Sequence, residues 1–424
     1  MQVGIIGAGY VGLVTGGGLA SLGHRVRLGE VDPDRVARLD SGDVPIFEHG
    51  LPDLLSSGSE QDLISYHTSN IEAAEGADFI FLCLPTPQAD DGRADLSLVQ
   101  AVVDELANEV ADDAIFVVKS TVPPGTVAGL RKRLADLGSP ARIVSHPEFL
   151  REGKAVEDFM EPDRIVVGAY DDEDAEAVAD LYVSLDANVV RTDPTSAEMI
   201  KYASNSYLAA RLTFVNTLAN VCEAVGADVL DVISGMGMDH RIGRHFLKPG
   251  PGYGGSCFPK DTAALIGVAE DAGYDFELLR AVIDADHQQR RRVAGKVRQA
   301  AGGGLRGRRV AMWGVAFKAG TDDVRESPAL RIAELLKEEG ADVVAYDPEA
   351  TTDQVTMAAD PIEVTRDADV LFIATEWPVF LTIDMTEVAK VMKGYRVVDS
   401  RNLLDPTAVR AAGLDYWGLG RPGA

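Results

Sequence analysis

Val3-Gly-Ile-Ile-Gly-Ala-Gly-Tyr-Val-Gly12 is the stretch that decides the fold. It opens as a short apolar strand, turns through Gly7-Ala-Gly9, and runs on from Gly12 into an apolar helical pattern. In such a strand–turn–helix the glycines permit a tight turn and a close approach of backbone to a pyrophosphate. The phosphate charge then rests on the helix N-terminus. The second strand, His24–Val31, delivers Glu30 18 residues after Gly12, where a carboxylate is placed to bind a ribose 2′-hydroxyl. An acid there repels a 2′-phosphate, so NAD is expected rather than NADP. A glycine turn serving packing alone is the competing reading, and the paired acid counts against it.

Outward from this unit, short apolar runs alternate with helical patterns. Strands are expected at Val3–Ile6, Arg25–Leu28, Phe79–Leu84, Ile115–Val118, Arg142–Val144, Ile165–Gly168 and Val189–Arg191, with helices between several of them, as at Leu98–Val110 and Glu173–Leu185. Such alternation specifies a parallel sheet with helices on both faces. Ser196 to Val225 has neither Pro nor Gly and reads as one long helix capped by Ser196. Further helix follows, interrupted by Pro249–Gly255, and the basic run Gln288–Lys296 closes this middle part. Ala301–Gly307 (AGGGLRG) is the clearest linker. Beyond it, Val310–Val315, Val343–Tyr346, Val370–Ala374 and Val397–Val398 read as strands of a second α/β domain. Gly76-Ala-Asp78 before Phe-Ile-Phe-Leu is echoed by Asp367-Ala-Asp369 before Val-Leu-Phe-Ile. The expected fold is α/β, with two Rossmann-like, doubly wound domains, 1–195 and 301–424, joined by a helical middle, 196–300.

Composition narrows the function classes. The chain has 424 residues and 46% hydrophobic residues, enough for real cores, yet no apolar run reaches the ~18 residues of a membrane span. The N-terminus reads as a buried strand and not as a signal peptide. Three cysteines, Cys83, Cys222 and Cys257, lie far apart without metal-ligand spacing, so no metal is expected and a cytoplasmic setting fits. A net charge of −27 argues against a nucleic-acid partner. The 29 Arg against 11 Lys, with 67 acidic residues, fits either a salt-rich cytoplasm or an ordinary acidic enzyme of a GC-rich genome.

Two further strand ends turn on proline, Cys83–Gln88 and Lys119–Pro124. Ligands bind at the carboxyl ends of parallel strands, so Thr86, Ser120 and Thr121 are expected to face the cofactor. The segment Lys248-Pro-Gly-Pro-Gly-Tyr-Gly-Gly-Ser-Cys-Phe-Pro-Lys-Asp261 is the most informative in the chain. Its glycines, with Pro249 and Pro251, allow a backbone wrapped closely on a ligand, and they set Cys257 at a helix entry with Pro259 in the first turn. A cysteine there, near Lys260, feels a positive potential that lowers its pKa towards the reactive thiolate. A lone cysteine is more often an inert buried residue. That reading suits Cys222 on the long helix and Cys83 inside a strand, but not Cys257 in a glycine-rich loop.

GYGGSCFPKD (252–261) resembles the active-site signature of the UDP-glucose 6-dehydrogenases, within the UDP-glucose/GDP-mannose dehydrogenase family. The resemblance spans nearly the whole chain through GAGYVG (7–12), KSTVPPGT (119–126), PEFLREG (147–153), EMIKYASNSYLA (198–209), FLKPGPGYGG (246–255), GVAFKAGTDDVRESPA (314–329) and DSRNLL (399–404). It implies a four-electron oxidation of a nucleotide sugar, consuming two NAD. The intermediate aldehyde is captured by Cys257 as a thiohemiacetal, oxidised to a thioester and hydrolysed. It implies that Lys201 stabilises the oxyanion or exchanges the C6 proton and that Asn205 holds the sugar oxygen. Asp261 positions water or acts as base, and Thr121 and Glu148 help order that water.

The resemblance extends the cofactor set to Tyr10, Val11, Arg35, Glu152, Lys260 and Arg325. It extends the substrate set to Phe149, Leu150, Arg151, Glu152, Phe246, Leu247, Lys248, Pro249, Gly250, Gly254, Phe317, Lys318 and Arg401, with Arg241 reaching a neighbouring subunit's substrate in a homodimer or higher homo-oligomer. Glu30 stands where aspartate is more usual, and His146 where asparagine is typical. A lone His at a strand end is more often structural than catalytic. GDP-mannose and amino-sugar dehydrogenases are nearby alternatives, but Glu161–Gly168 and Cys257-Phe-Pro resemble the UDP-glucose branch more closely. Outside this chemistry, a non-catalytic NAD-binding regulator is opposed by the intact Cys257, Lys201, Asn205 and Asp261. A two-electron alcohol dehydrogenase would have no need of the cysteine.

Overall fold

The glycine turn follows β1 (Gln2–Ile6) in a computed structural model that describes residues 1–89 and 91–422. The chain forms two units, Met1–Ser204 with Ala263–Gly273, and Asn205–Thr262 with Tyr274–Ala424. In the first, β1 is joined by β2 (Arg25–Gly29), β3 (Ile64–His67), β4 (Phe79–Leu82), β5 (Ile115–Val118), β6 (Arg142–Ser145), β7 (Ile165–Gly168) and β8 (Val189–Thr192). The order is β3-β2-β1-β4-β5-β6-β7-β8. All seven strands read from the sequence are present. β3 was not expected, because Ile64-Ser-Tyr-His is half polar and lies at the sheet edge, where strands need no apolar run. β4, β5 and β7 are buried along their whole length, which is why they read as continuous apolar runs.

The sheet is parallel with one exception. β6 and β7 meet through an antiparallel bridge between Ser145 and Gly168. Their connection carries one short helix, Ala155–Met160, whose Phe159 packs on Gly18 of the helix Tyr10–Ser21 where no Cβ would fit. That helix therefore does not serve as a crossover between parallel neighbours.

The second unit carries β9 (Arg309–Trp313), β10 (Asp342–Tyr346), β11 (Thr356–Met357), β12 (Val370–Ile373), β13 (Arg396–Asp399) and β14 (Asp415–Gly418), all parallel, in the order β11-β10-β9-β12-β13-β14. This is the strand order of the first six strands of the other sheet, the doubly wound order of Rossmann domains. The sequence echo holds at the level of atoms. The Asp78 carboxylate accepts from Gln2 N–H at 2.8 Å, and Asp78 N–H donates to the Gln2 carbonyl at 2.9 Å. Asp369 does the same with Arg309, at 3.0 and 2.8 Å. In each sheet one aspartate pins the start of the first strand to the start of its neighbour.

Helices Pro194–Val225, Val229–Met236, Phe258–Asp271 and Glu277–Ala300 form the helical middle. The long helix begins two residues earlier than expected, and its cap is Asp193, not Ser196. The Asp193 carboxylate accepts the Ser196 N–H at 2.9 Å and its hydroxyl at 2.5 Å. Pro194, lacking an N–H, fits the first helical position. Among the described residues no helix is long and apolar enough to cross a membrane.

Candidate active site

In the first unit the three glycines of the turn do different work. A Cβ on Gly12 would lie 1.8 Å from the Gly7 carbonyl oxygen, and one on Gly7 would lie 2.6 Å from that of Cys83. Gly9 instead opens onto free space and begins the helix Tyr10–Ser21 with no side-chain cap. The outward N–H groups of that helix are thus left for a ligand, as a pyrophosphate requires. Glu30 directly follows β2, with one carboxylate oxygen 3.1 Å from Asp32 N and the other 3.7 Å from Arg35 Nε. The cradle and the acid together fit NAD. Ser120 and Thr86 spend their hydroxyl hydrogens on backbone: Ser120 on the carbonyls of Leu82 and Leu84, Thr86 on that of Thr121 at 2.9 Å. They staple the ends of β4 and β5 beneath the cradle.

Glu48 was not expected from the sequence. It is buried and accepts from Gly153 N–H at 2.6 Å, Ala155 N–H at 2.9 Å and the Tyr10 hydroxyl. It therefore ties the first turn of the cofactor helix, at Tyr10 beside Val11, to the loop carrying Arg151 and Glu152. Burial, then Glu48, raise the Tyr10 phenol above its ordinary range. Arg151 is held by Asp158.

The same unit brings Glu148 and Lys201 together. Lys201 Nζ lies 2.9 Å from Glu148 Oε1, and the side chains are 5% and 7% exposed. Burial favours the neutral acid, but Lys201, the Leu150 N–H and Lys119 outweigh it and hold Glu148 below the usual carboxylate range. Phe149 packs beside this pair, 5.4 Å from Lys201 Nζ, with the Arg164 guanidinium 3.8 Å from its ring centre. His146 is buried behind it. Its Nδ1 donates to the Val166 carbonyl at 2.7 Å, leaving Nε2 to accept from Tyr182 Oη at 2.9 Å and Lys119 Nζ at 3.0 Å. Burial, then Lys119, keep the imidazole neutral. Burial also pushes Lys119 down to about 8 and Cys83 up to about 12.

The second unit holds the cysteine site. Cys257 immediately precedes the helix Phe258–Asp271, and its carbonyl accepts the Asp261 N–H at 2.9 Å, so it occupies the helix entry. Ser256 Oγ is 3.6 Å from its sulfur. Asp261 is fully buried, with one oxygen 2.6 Å from Lys260 Nζ and the other 2.6 Å from Asn205 Nδ2. Cys83 and Cys222 are both buried.

Gly254 packs so closely on the segment 317–328 that a Cβ would sit 2.3 Å from the Glu326 carbonyl oxygen. Gly255 N–H donates to the Arg325 carbonyl at 3.1 Å. Arg401 donates to the carbonyls of Ala374 (2.9 Å) and Phe317 (3.1 Å), pairs with Glu376, and approaches Gly250. Phe317 carries Lys318 Nζ 5.4 Å from its ring centre. Leu247, Pro249 and Gly250 are buried, Phe246 is partly so, and Lys248 is exposed. Arg241 and Arg325 keep most of their side chains in solvent and pair with their neighbours Asp239 and Asp323.

The second sheet has its own acid after β10, Asp347, at the position Glu30 takes after β2. Its carboxylate is consumed internally by the N–H groups of Val315, Ala316, Glu349 and Ala350 and by Trp377 Nε1. No ribose-facing carboxylate is left there. The two Rossmann-like sheets are therefore not two equivalent dinucleotide sites.

Family models for the UDP-glucose/GDP-mannose dehydrogenase family match along the chain: the NAD binding domain at residues 1–186, the central domain at 195–288 and the UDP binding domain at 311–406. The chain is 40% identical to the UDP-glucose 6-dehydrogenase of Rhizobium meliloti, covering 100% of both chains. A UDP-glucose dehydrogenase structure from Pyrobaculum islandicum matches with a TM-score of 0.91 at 38% identity, covering 99% of this chain and 98% of the other. A UDP-D-ManNAc dehydrogenase from Pyrococcus horikoshii matches with a TM-score of 0.90 at 26% identity, covering 100% of both chains. The uncapped glycine cradle followed by Glu30, and the cysteine at a helix entry above a buried aspartate, thus sit in matched NAD-binding and central domains, and the chain belongs to the UDP-glucose/GDP-mannose dehydrogenase family of NAD-dependent oxidoreductases.

Proposed function

We propose that the protein oxidises UDP-glucose to UDP-glucuronate in two NAD-dependent steps, with Cys257 as a covalent nucleophile. The observation that carries this is Cys257 at its helix entry, one turn before an Asp261 held by Asn205 and Lys260. The higher identity to UDP-glucose enzymes than to the amino-sugar enzyme favours glucose as the sugar. Residues 1–195, 196–300 and 301–424 are the proposed functional parts.

NAD, when bound, supplies the hydride acceptor for both oxidations. Gly7, Gly9 and Gly12 and the helix after them hold its pyrophosphate, and Glu30, with Arg35 beside it, holds a ribose. Lys201 offers a cation to the C6 oxygen as negative charge develops there, and Asn205 offers an amide N–H. The Cys257 sulfur adds to the C6 aldehyde, forming an S–C bond and a thiohemiacetal. Loss of a second hydride and the hydroxyl proton leaves a thioester. Water, ordered by Glu148 and Thr121, attacks the thioester with Asp261 as proton acceptor. The S–C bond then breaks, and the uronate and the thiolate are released. Glu152, Phe317, Lys318 and Arg401 are proposed to hold the nucleotide sugar, and Arg325 the NAD.

A homodimer through the long helix is part of this proposal. Tyr207, Phe214, Val221 and Val225 are 63, 56, 52 and 72% exposed, and the first three recur every seven residues along one face. A cytoplasmic location is proposed on the three cysteines, which lie far apart in the sequence and without metal-ligand spacing.

The test is stoichiometry. Two NADH per UDP-glucose are expected, and Cys257→Ser is expected to abolish uronate release while leaving at most a slow first hydride transfer. One NADH per sugar, or full turnover by the serine variant, would sink the thioester route.

A further inference from the structure

The Pro249–Gly255 loop lacks regular structure of its own, yet the backbone N–H and carbonyl groups of its Gly250 and Tyr253 have partners on two helices. Asn216, on the long helix, accepts the Gly250 N–H at 2.8 Å. Gln289, on the helix Glu277–Ala300, donates to the Gly250 carbonyl at 2.9 Å and is itself held by Asn220 Nδ2 at 2.9 Å. One residue on, Arg290 donates to the Tyr253 carbonyl at 2.9 Å, while Asp286 accepts the Tyr253 N–H at 2.9 Å. Asp286 and Arg290 also pair at 2.7 Å. All four tethering side chains are buried, between 1% and 7% exposed.

A buried ion pair is a weak source of net stability, because desolvation offsets most of its attraction. Here each partner also spends a hydrogen bond on the loop backbone. Four side chains on two helices thus fix both ends of the stretch 250–253, which ends four residues before Cys257.

We infer that Asn216, Asp286, Gln289 and Arg290 are positioning residues that preset this loop in its ligand-holding shape. This rests on the reading that the loop holds the nucleotide sugar. None of the four need touch the substrate. Their effect is to keep the loop from spending binding energy on its own ordering.

Asn216 gives the cleanest test, since the Gly250 N–H needs only an acceptor. Asn216→Leu removes it and Asn216→Asp retains it. Steady-state kinetics with UDP-glucose and NAD, NADH binding by fluorescence, and melting curves are measured for both variants and the wild type. Asn216→Leu is expected to raise KM for UDP-glucose about tenfold with little change in NADH binding, and Asn216→Asp to recover most of the loss. An unchanged UDP-glucose KM in the leucine variant overturns the inference. So does an equal loss of NADH affinity, or a failure of the aspartate variant to recover while melting normally. A wild type that does not oxidise UDP-glucose refutes the underlying reading instead.

Discussion

Lys201 Nζ and Glu148 Oε1 meet at 2.9 Å with both side chains almost wholly out of solvent. A buried pair of this kind tolerates the loss of neither partner alone, because the survivor keeps its desolvation cost and loses its attraction. Glu148→Gln is expected to destabilise the fold by about 3–5 kcal/mol in urea denaturation, and adding Lys201→Met to recover part of that loss. An additive double variant would mean the two are not coupled. The Glu148 value is lowered in the fold, so its charged form contributes stability at pH above its ordinary 4.5. That contribution is withdrawn only as pH falls through the lowered value. The difference between wild type and Glu148→Gln is therefore expected to hold from neutral pH down to about 4.5 and to shrink below it.

Lys119 behaves in the opposite sense. Burial depresses it from 10.5 to about 8, so folding holds an ammonium in a place that disfavours it. The penalty is fully present below pH 8 and is relieved as pH rises towards 10.5, where the unfolded chain also loses its proton. Lys119→Met is expected to stabilise the fold at pH 7 by up to about 3 kcal/mol, offset in part by the lost hydrogen bond to His146. The gain narrows between pH 8 and 10.5. Denaturation across that range checks it, and a difference that grows with pH would contradict the assignment.

Glu30 follows β2 with its carboxylate beside Arg35. NAD is expected to be preferred over NADP by roughly 10²-fold in kcat/KM, through repulsion of the 2′-phosphate and loss of a ribose contact. Glu30→Gln is expected to narrow that ratio mainly by weakening NAD. Equal use of both cofactors by the wild type would remove Glu30 from the ribose.

The surface charge makes its own forecast. With 67 acidic and 40 basic residues, repulsion between surface carboxylates persists at ~0.1 M salt, where the screening length is about 10 Å, and fades at ~1 M, where it is about 3 Å. Melting temperature and activity are both expected to rise from low salt to molar KCl. Flat or falling melting curves would assign the composition to an ordinary acidic enzyme.

Local pattern was enough to determine β1, the glycine turn, the acid after β2, the long helix and Cys257 at a helix entry. Each depends on residues adjacent in sequence, through apolar periodicity, a missing Cβ or a proline in a first turn. Even the aspartate pair Asp78 and Asp369 was visible as an echo, though not its purpose. The edge strand β3 was not visible, because an edge demands little apolar character. The cap at Asp193 was masked by Ser196, a residue of similar capping preference that lies inside the first turn. Only the tertiary structure decided what Glu48, Asn216, Asp286 and Gln289 do. The last three meet backbone groups 33 to 39 residues away, and Glu48 meets groups more than 100 away. A buried side chain that hydrogen-bonds a distant backbone leaves no periodic mark in its own neighbourhood. The same holds for Asp347, which sits where Glu30 sits. Its different fate was set by donors from Val315, Ala316 and Trp377, which the fold alone brings to it.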